Sequence, residues 1–336
     1  MDPILEIIGL KTYFFSKEGI IKAINGVSFS VYPGETFGLV GESGCGKTAT
    51  CFSILKLIHQ PGQIVGGSIR YKGRELLAMT DEEVHNIRGR EIGMIFQEPM
   101  TALNPVLKIK EQICESFDGK GMTKQQKYER AIELLRLVGI PMPEVRIEQY
   151  PHQFSGGMRQ RAMIAIVLAA EPKILLADEP TTALDVTIQD QIIKLINSIK
   201  ERLEMSVILV THDLGVVAQM CNRVGVMYAG YMMELTDTTT LFSKPRHPYT
   251  YGLINSLPSG KERGSRLESI QGAPPDLGNL PPGCPFAPRC QFAGDKCTKV
   301  LPEIREVAQG HLSRCHNVDR MEGVRGIIEI EETFKG

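Results

Sequence analysis

The clearest chemistry in this 336-residue sequence sits in eight residues, GESGCGKT, from Gly41 to Thr48. They follow the apolar run TFGLV and open a helical stretch, TATCFSILKLI, which is the strand–turn–helix setting a phosphate-binding loop requires. Gly41, Gly44 and Gly46 let the backbone curl until successive N–H groups face one anion. The helix beginning there adds its positive dipole end. Lys47 supplies an ammonium for the β- and γ-phosphates of a nucleotide, and Thr48 a hydroxyl for Mg²⁺. Ser43, Cys45 and Ala49 complete the predicted contact set. A thiol at a helix N-terminus invites a lowered pKa at Cys45, against the plainer reading of a small residue tolerated in a variable position.

A second acidic element, KILLADEP from Lys173 to Pro180, reads as a buried strand ending in two carboxylates. Asp178 is placed to hold the Mg²⁺ shell and Glu179 to orient the attacking water, because phosphoryl transfer needs charge neutralisation and positioning more than covalent chemistry. Alone this pattern is weak. Downstream of a phosphate loop it gains weight. Two further polar residues end apolar runs: Gln97 after IGMIF and His212 after SVILVT. FSGGMRQR, from Phe154 to Arg161, places Ser155, Gly156 and Gly157 at a helix start, where a hydroxyl and free N–H groups make another anion site, or simply an N-cap.

These residues need a scaffold that brings strand ends together. Four apolar runs, Thr36 to Val40, Ile92 to Phe96, Ile174 to Ala177 and Val207 to Val210, lack polar alternation. They suit strands buried on both faces of a mostly parallel sheet in an α/β fold. Ligands bind beyond the carboxyl ends of such strands, and each run is followed at once by a functional element. Between Pro105 and Phe154, KIKEQICESF and QQKYERAIELLRLVGI have apolar residues at helical spacing, predicting a helical insert within about 100–165. Beyond Tyr231, prolines and glycines crowd the sequence, predicting a linker and a loop-rich C-terminal module.

Taken together, these motifs resemble the ABC ATPase family of P-loop NTPases over about residues 4 to 235. FSGGM departs from the usual LSGGQ signature at Phe154 and Met158. The resemblance implies that Gln97 is the Q-loop glutamine, which contacts Mg²⁺ or water, and that His212 is the switch histidine. Thr182-Ala183-Leu184-Asp185 is then the D-loop, with Asp185 reaching across a dimer, and Tyr13 the aromatic that stacks on adenine. It further implies two ATPase domains packed head to tail around two ATP molecules, each site completed by Ser155 and Gly157 of the other subunit. The partner is a second copy or a paralogous ATPase subunit.

IFQEPMTALNP (95–105), KPRHPYTYGLINSLP (244–258) and GCPFAPRC (283–290) are similar to segments of dipeptide and oligopeptide importer ATPases. That resemblance implies two transmembrane permease subunits and an extracytoplasmic peptide-binding protein as partners, with this chain peripheral on the cytoplasmic face of the membrane. Related systems carry nickel or other small solutes. The EPMTALNP segment, through Met100 and Leu103, is the candidate permease contact. The domain division expected is 1–235 for the ATPase and 236–336 for the extension.

The extension holds Cys284, Cys290, Cys297 and Cys315 of the eight cysteines. A small module with little core gains from a metal staple, and the spacing lacks the paired C-x-x-C of common zinc sites. The importer resemblance implies a [4Fe–4S] cluster; zinc and metal-free thiols stay open as alternatives. His311 and His316 read as surface residues, with substitution for a cysteine ligand as the alternative. The net charge of -1 offers no field for nucleic acid. The longest apolar stretch, Ala162 to Ala170, is far short of the roughly 20 residues of a membrane span. The N-terminus lacks a signal-peptide plan, so a soluble, cytoplasmic chain is expected. A DNA- or ribosome-directed ABC protein would carry two cassettes or a long coiled coil, and neither is visible.

Overall fold

The computed structural model describes residues 2–182, 184–257, 270–324 and 326. Ala183 of the predicted D-loop and Pro258, which ends the KPRHPYTYGLINSLP segment, lie outside them. The chain forms two compact units, Met1–Met79 with Leu209–Gly336, and Thr80–Ile208.

The first unit contains two sheets. One is antiparallel, in the order Gly19–Val31, Leu5–Ser16, Gly62–Tyr71, Arg74–Glu75. The sequence reading does not anticipate it, because its three long strands are only partly buried and leave no unbroken apolar run. Its turn chemistry is local: Tyr71 pairs with Arg74 across Lys72 and Gly73, both at positive φ, as a two-residue hairpin requires. Thr12 on the central strand shares a hydrogen bond of 2.8 Å with Ser53 on helix Lys47–Ile54, which ties this sheet to the helix after the phosphate loop.

In the other sheet, Thr36–Val40 pairs in parallel with Arg223–Tyr228, which continues antiparallel to Tyr231–Asp237. Thr36–Val40 is buried at every residue, as its unbroken apolar run predicts. The C-terminal extension is not only loops. Its strand His311–Ser313 pairs antiparallel with Tyr231–Asp237, and Arg305–Ala308 pairs with His311–Ser313 in turn. His311 is therefore not the surface residue expected: it is 2% exposed and its Nε2 lies 2.7 Å from the buried Glu234 carboxylate. Two paired positions, Glu234 with Ser313 and Leu235 with Leu312, are too short a pattern to be seen in sequence.

In the second unit, Ile92–Ile95 and Ile174–Asp178 pair in parallel, both fully buried. Around them stand the predicted helices: Ile109–Glu115, Lys124–Leu137, and Gly156–Ala169. Their buried positions, Ile109 and Ile113, Ala131 and Leu135, Ala162 and Ala165, recur at helical spacing and form the packed faces. Thr123 caps Lys124–Leu137 in a reciprocal box with Gln126. Strand Ser206–Thr211 carries the chain out of this unit into the first.

Candidate functional site

In the first unit, GESGCGKT forms a tight loop between Thr36–Val40 and Lys47–Ile54. The glycine requirement is steric as well as conformational. A Cβ on Gly41 would lie 2.2 Å from the Met227 carbonyl oxygen, and one on Gly46 2.2 Å from that of Ala23. Gly46 caps the helix at φ 105°, where a side chain would be strained. The backbone thus lies against neighbouring strands while its polar groups curl around the loop. Lys47 is 4% exposed, and its ammonium donates to the carbonyls of Gly41 at 2.8 Å and Glu42 at 3.0 Å. Ser43 and Gly44 are exposed at the loop's crest, and Thr48 and Ala49 are partly so. A backbone cradle that no Cβ could enter, holding an ammonium, fits a nucleotide triphosphate.

At Cys45 the plainer of the two readings holds. It is 4% exposed, and burial pushes its thiol pKa up despite the neighbouring Lys47. Desolvation outweighs the helix terminus, so Cys45 is a packed loop residue and not an activated thiol. Tyr13 stands half-exposed on its strand, with its hydroxyl donating to Asn25 Oδ1 at 3.0 Å. The tether orients the ring and leaves part of it open, compatible with a stacking role. His212 is exposed at the end of Ser206–Thr211, next to Asp213, whose carboxylate caps helix Leu214–Met220.

The second unit brings its predicted catalytic residues together. Asp178 is 1% exposed at the end of its strand, and the turn begins at Glu179. Glu179 has φ 44°, a left-handed conformation that a residue with a Cβ adopts at a cost, common where function dictates geometry. Its Oε2 accepts from Gln97 Nε2 at 3.3 Å and from Thr182 Oγ1 at 2.8 Å. Thr182 as an orienting donor is missed by sequence reasoning; its place three residues after Glu179, in a turn, is the signal that was there to be read. Ser155 caps helix Gly156–Ala169, accepting from the Met158 N–H at 3.4 Å, and Ser155 and Gly156 face solvent. Gly157 is more restricted, with a Cβ position 3.2 Å from Ile188. Behind them Gln160 donates to the Pro180 carbonyl at 2.7 Å, fixing the signature helix against the turn that carries Glu179. Asp185 is exposed and caps helix Val186–Leu203, accepting from Ile188 N–H at 3.0 Å.

The candidate permease segment divides. Met100 is 45% exposed, and Val106 just beyond the segment 76%, but Leu103 is 2% exposed. Leu103 is a core residue of the segment, not a contact residue, because the short helix Pro99–Ala102 turns it inward.

In the extension, Cys284, Cys290, Cys297 and Cys315 line one pocket with Phe286, Phe292, His316 and Asn317. Burial, with a smaller contribution from neighbouring thiols, pushes Cys284 up to about 11 and Cys315 up to about 12. Burial also raises Cys290. Metal-free, Cys284, Cys290 and Cys315 are neutral, and a metal would have to displace their protons. Among the described residues, no three His, Cys, Asp or Glu side chains stand close enough to share one metal ion.

Comparison with known proteins agrees with this geometry. Residues 24–182 match the family model described as ABC transporter, and residues 233–297 match the model for the C-terminal region of oligopeptide/dipeptide transporters. The chain is 48% identical over 317 residues to the dipeptide transport ATP-binding protein DppD of Bacillus subtilis, covering 94% of this chain and 95% of that one. It is 50% identical over 311 residues to the oligopeptide transport ATP-binding protein OppD of the same organism, covering 92% and 87%. Among solved structures, the dimeric post-hydrolysis state of the ATP-binding cassette MJ0796 with ADP and Pi superposes with a TM-score of 0.63 at 27% identity, over 70% of this chain and 98% of that one.

Proposed function

The chain belongs to the ABC transporter ATP-binding subunits, in the branch of the dipeptide and oligopeptide transporters, and from that premise we propose that it hydrolyses ATP to power peptide import through partner permeases. The observation that carries the assignment is its reach. Similarity does not stop at the cassette but continues through the C-terminal region, which has a transporter-specific model of its own.

Each residue has a defined part. The loop N–H groups and Lys47 bind the β- and γ-phosphates, and Tyr13 stacks on the adenine. Thr48, Gln97 and Asp178 would hold Mg²⁺, which supplies charge neutralisation at the transferring phosphoryl group. Glu179, oriented by Gln97 and Thr182, positions the attacking water. His212 contacts the γ-phosphate. Ser155, Gly157 and Asp185, on exposed helix starts, serve the nucleotide of a second subunit, either a paralogue or another copy. The 1–235 region acts as the ATPase and 236–336 as its importer-type extension. No helix among the described residues is long and apolar enough to cross a membrane. From its likeness to the peptide transporters, our reading is a chain peripheral on the cytoplasmic face, beneath two permease subunits fed by an extracytoplasmic peptide-binding protein. Nickel or another small solute is the competing cargo.

Vesicles containing the chain, its ATPase partner and the permeases, supplied with binding protein, test this. Labelled dipeptide or oligopeptide uptake should require ATP and vanish with Glu179→Gln, which should also lower turnover by about a hundredfold or more. Nickel uptake in place of peptide uptake would reassign the cargo. Unchanged turnover would remove Glu179 from the mechanism.

For the four thiols, our reading is a [4Fe–4S] cluster. Four cysteines around a single pocket support it, since a four-iron core holds its thiolates farther apart than one ion does. Iron and acid-labile sulfide in equal amounts would bear this out; zinc, or no metal in anaerobically prepared protein, would reject it.

A further inference from the structure

One side chain of the C-terminal segment reaches into the phosphate loop. Arg289 directly precedes Cys290, and its side chain is 6% exposed. It forks onto Glu42, with Nη1 2.6 Å from Oε2 and Nη2 2.9 Å from Oε1. Glu42 is the second residue of GESGCGKT. Its N–H donates to the Tyr249 hydroxyl at 2.9 Å, and its carbonyl accepts from Lys47 Nζ at 3.0 Å. Main chain and side chain of one loop residue are therefore held by two residues, Arg289 and Tyr249, from beyond the cassette.

Arg289 is itself braced. Nη1 also donates to the Tyr228 hydroxyl at 3.2 Å, and Nε donates to the Gln271 carbonyl at 2.9 Å. The guanidinium carbon lies 5.8 Å from the centroid of the Tyr228 ring and 6.0 Å from that of Phe286. Planar, bidentate and stacked, the arrangement suits arginine and not lysine.

The electrostatics give the contact a purpose. The loop exists to gather the negative charge of a triphosphate, yet its own second residue is a carboxylate. Unpaired, that carboxylate would repel the ligand. We propose that Arg289 is a positioning residue for nucleotide binding, which neutralises Glu42 and holds it away from the phosphate-binding N–H groups. The proposal rests on the reading of GESGCGKT as the ATP site, and its test separates the two.

The measurement is the dissociation constant of a fluorescent ATP analogue for the full chain at low and high salt. Arg289→Ala should weaken binding roughly tenfold at low salt, and high salt should shrink the difference. Arg289→Lys should recover only part of the loss. Adding Glu42→Gln to Arg289→Ala should restore affinity to within about twofold of Glu42→Gln alone, since no charge is then left to neutralise. Arg289→Met, which keeps the apolar stem, takes the place of alanine if the latter loses its fold. Wild-type affinity in the folded Arg289 variants, or a loss that Glu42→Gln fails to relieve, would overturn the positioning role. If the unmodified chain does not bind the analogue, or if Lys47→Ala binds it as well as wild type does, the ATP-site reading falls instead.

Discussion

At the scale of single residues, the site depends on groups held in place before any ligand arrives. Lys47 is buried and already satisfied by two loop carbonyls, so it pays little entropy when phosphate arrives. Lys47→Ala should remove a charge-assisted interaction worth about 1.5–3 kcal/mol, a ten- to hundredfold rise in the nucleotide dissociation constant by titration calorimetry. Glu179 shows the same preparation. Its carboxylate is aimed by Gln97 and Thr182 on a left-handed backbone. Thr182→Ala deletes the shorter of the two bonds and should cost about 1 kcal/mol of positioning, near a fivefold drop in kcat with the ATP KM little changed. Equal loss in both constants would mean Thr182 serves binding instead.

At the scale of elements, helix termini and turns do most of the placing. Ser155, Asp185, Asp213 and His247 each cap a helix whose start or flank the function uses. His247 is the unusual cap. It is 1% exposed, its Nδ1 accepts the Tyr249 N–H at 3.0 Å, and burial drives its pKa down to about 3. The unfolded histidine titrates near 6.5, so between those values the unfolded chain binds the extra proton. Stability contributed by neutral His247 is therefore full above pH 6.5 and lost as pH falls towards 3, at about 1.4 kcal/mol per unit. His247→Asn keeps a capping acceptor without the titration, and denaturant unfolding between pH 7 and 5 should show a shallower decline than wild type. Leu103 supplies a second test: Leu103→Ala should destabilise by about 2–5 kcal/mol, as a truncated core residue does.

At the scale of the molecule, the extension belongs to the same compact unit as the phosphate loop, joined by strand pairing and by the Arg289–Glu42 pair. In the other unit, Met100 and Val106 present exposed apolar side chains shortly after Gln97 and Glu98, and the proposed permease contact is tested there. Met100→Asp with Val106→Asp should reduce co-purification with the permeases and peptide uptake, while ATPase turnover of the free chain stays within about twofold, because neither side chain is part of a packed core. Retained assembly and uptake would place the permease contact elsewhere.

The sequence by itself determined the phosphate loop, the acidic strand end and the signature. Their chemistry is local: a glycine is needed wherever a Cβ would strike a neighbouring backbone, and a capping serine wherever a helix starts. The four buried strands were legible for a similar reason, since burial on both faces leaves an unbroken apolar run. Tertiary structure decided what depends on distant partners. At Cys45 an activated thiol stays open beside the plainer packed residue until burial is known. Leu103 and Met100 look equivalent until one turns inward. His311 looks like a surface residue until Glu234 meets it across a strand pair. Arg289 and Glu42 are separated by most of the chain and carry no shared motif, and only folding brings their charges to 2.6 Å. Electrostatic and packing energies depend on separation in space, which spacing along a chain does not encode.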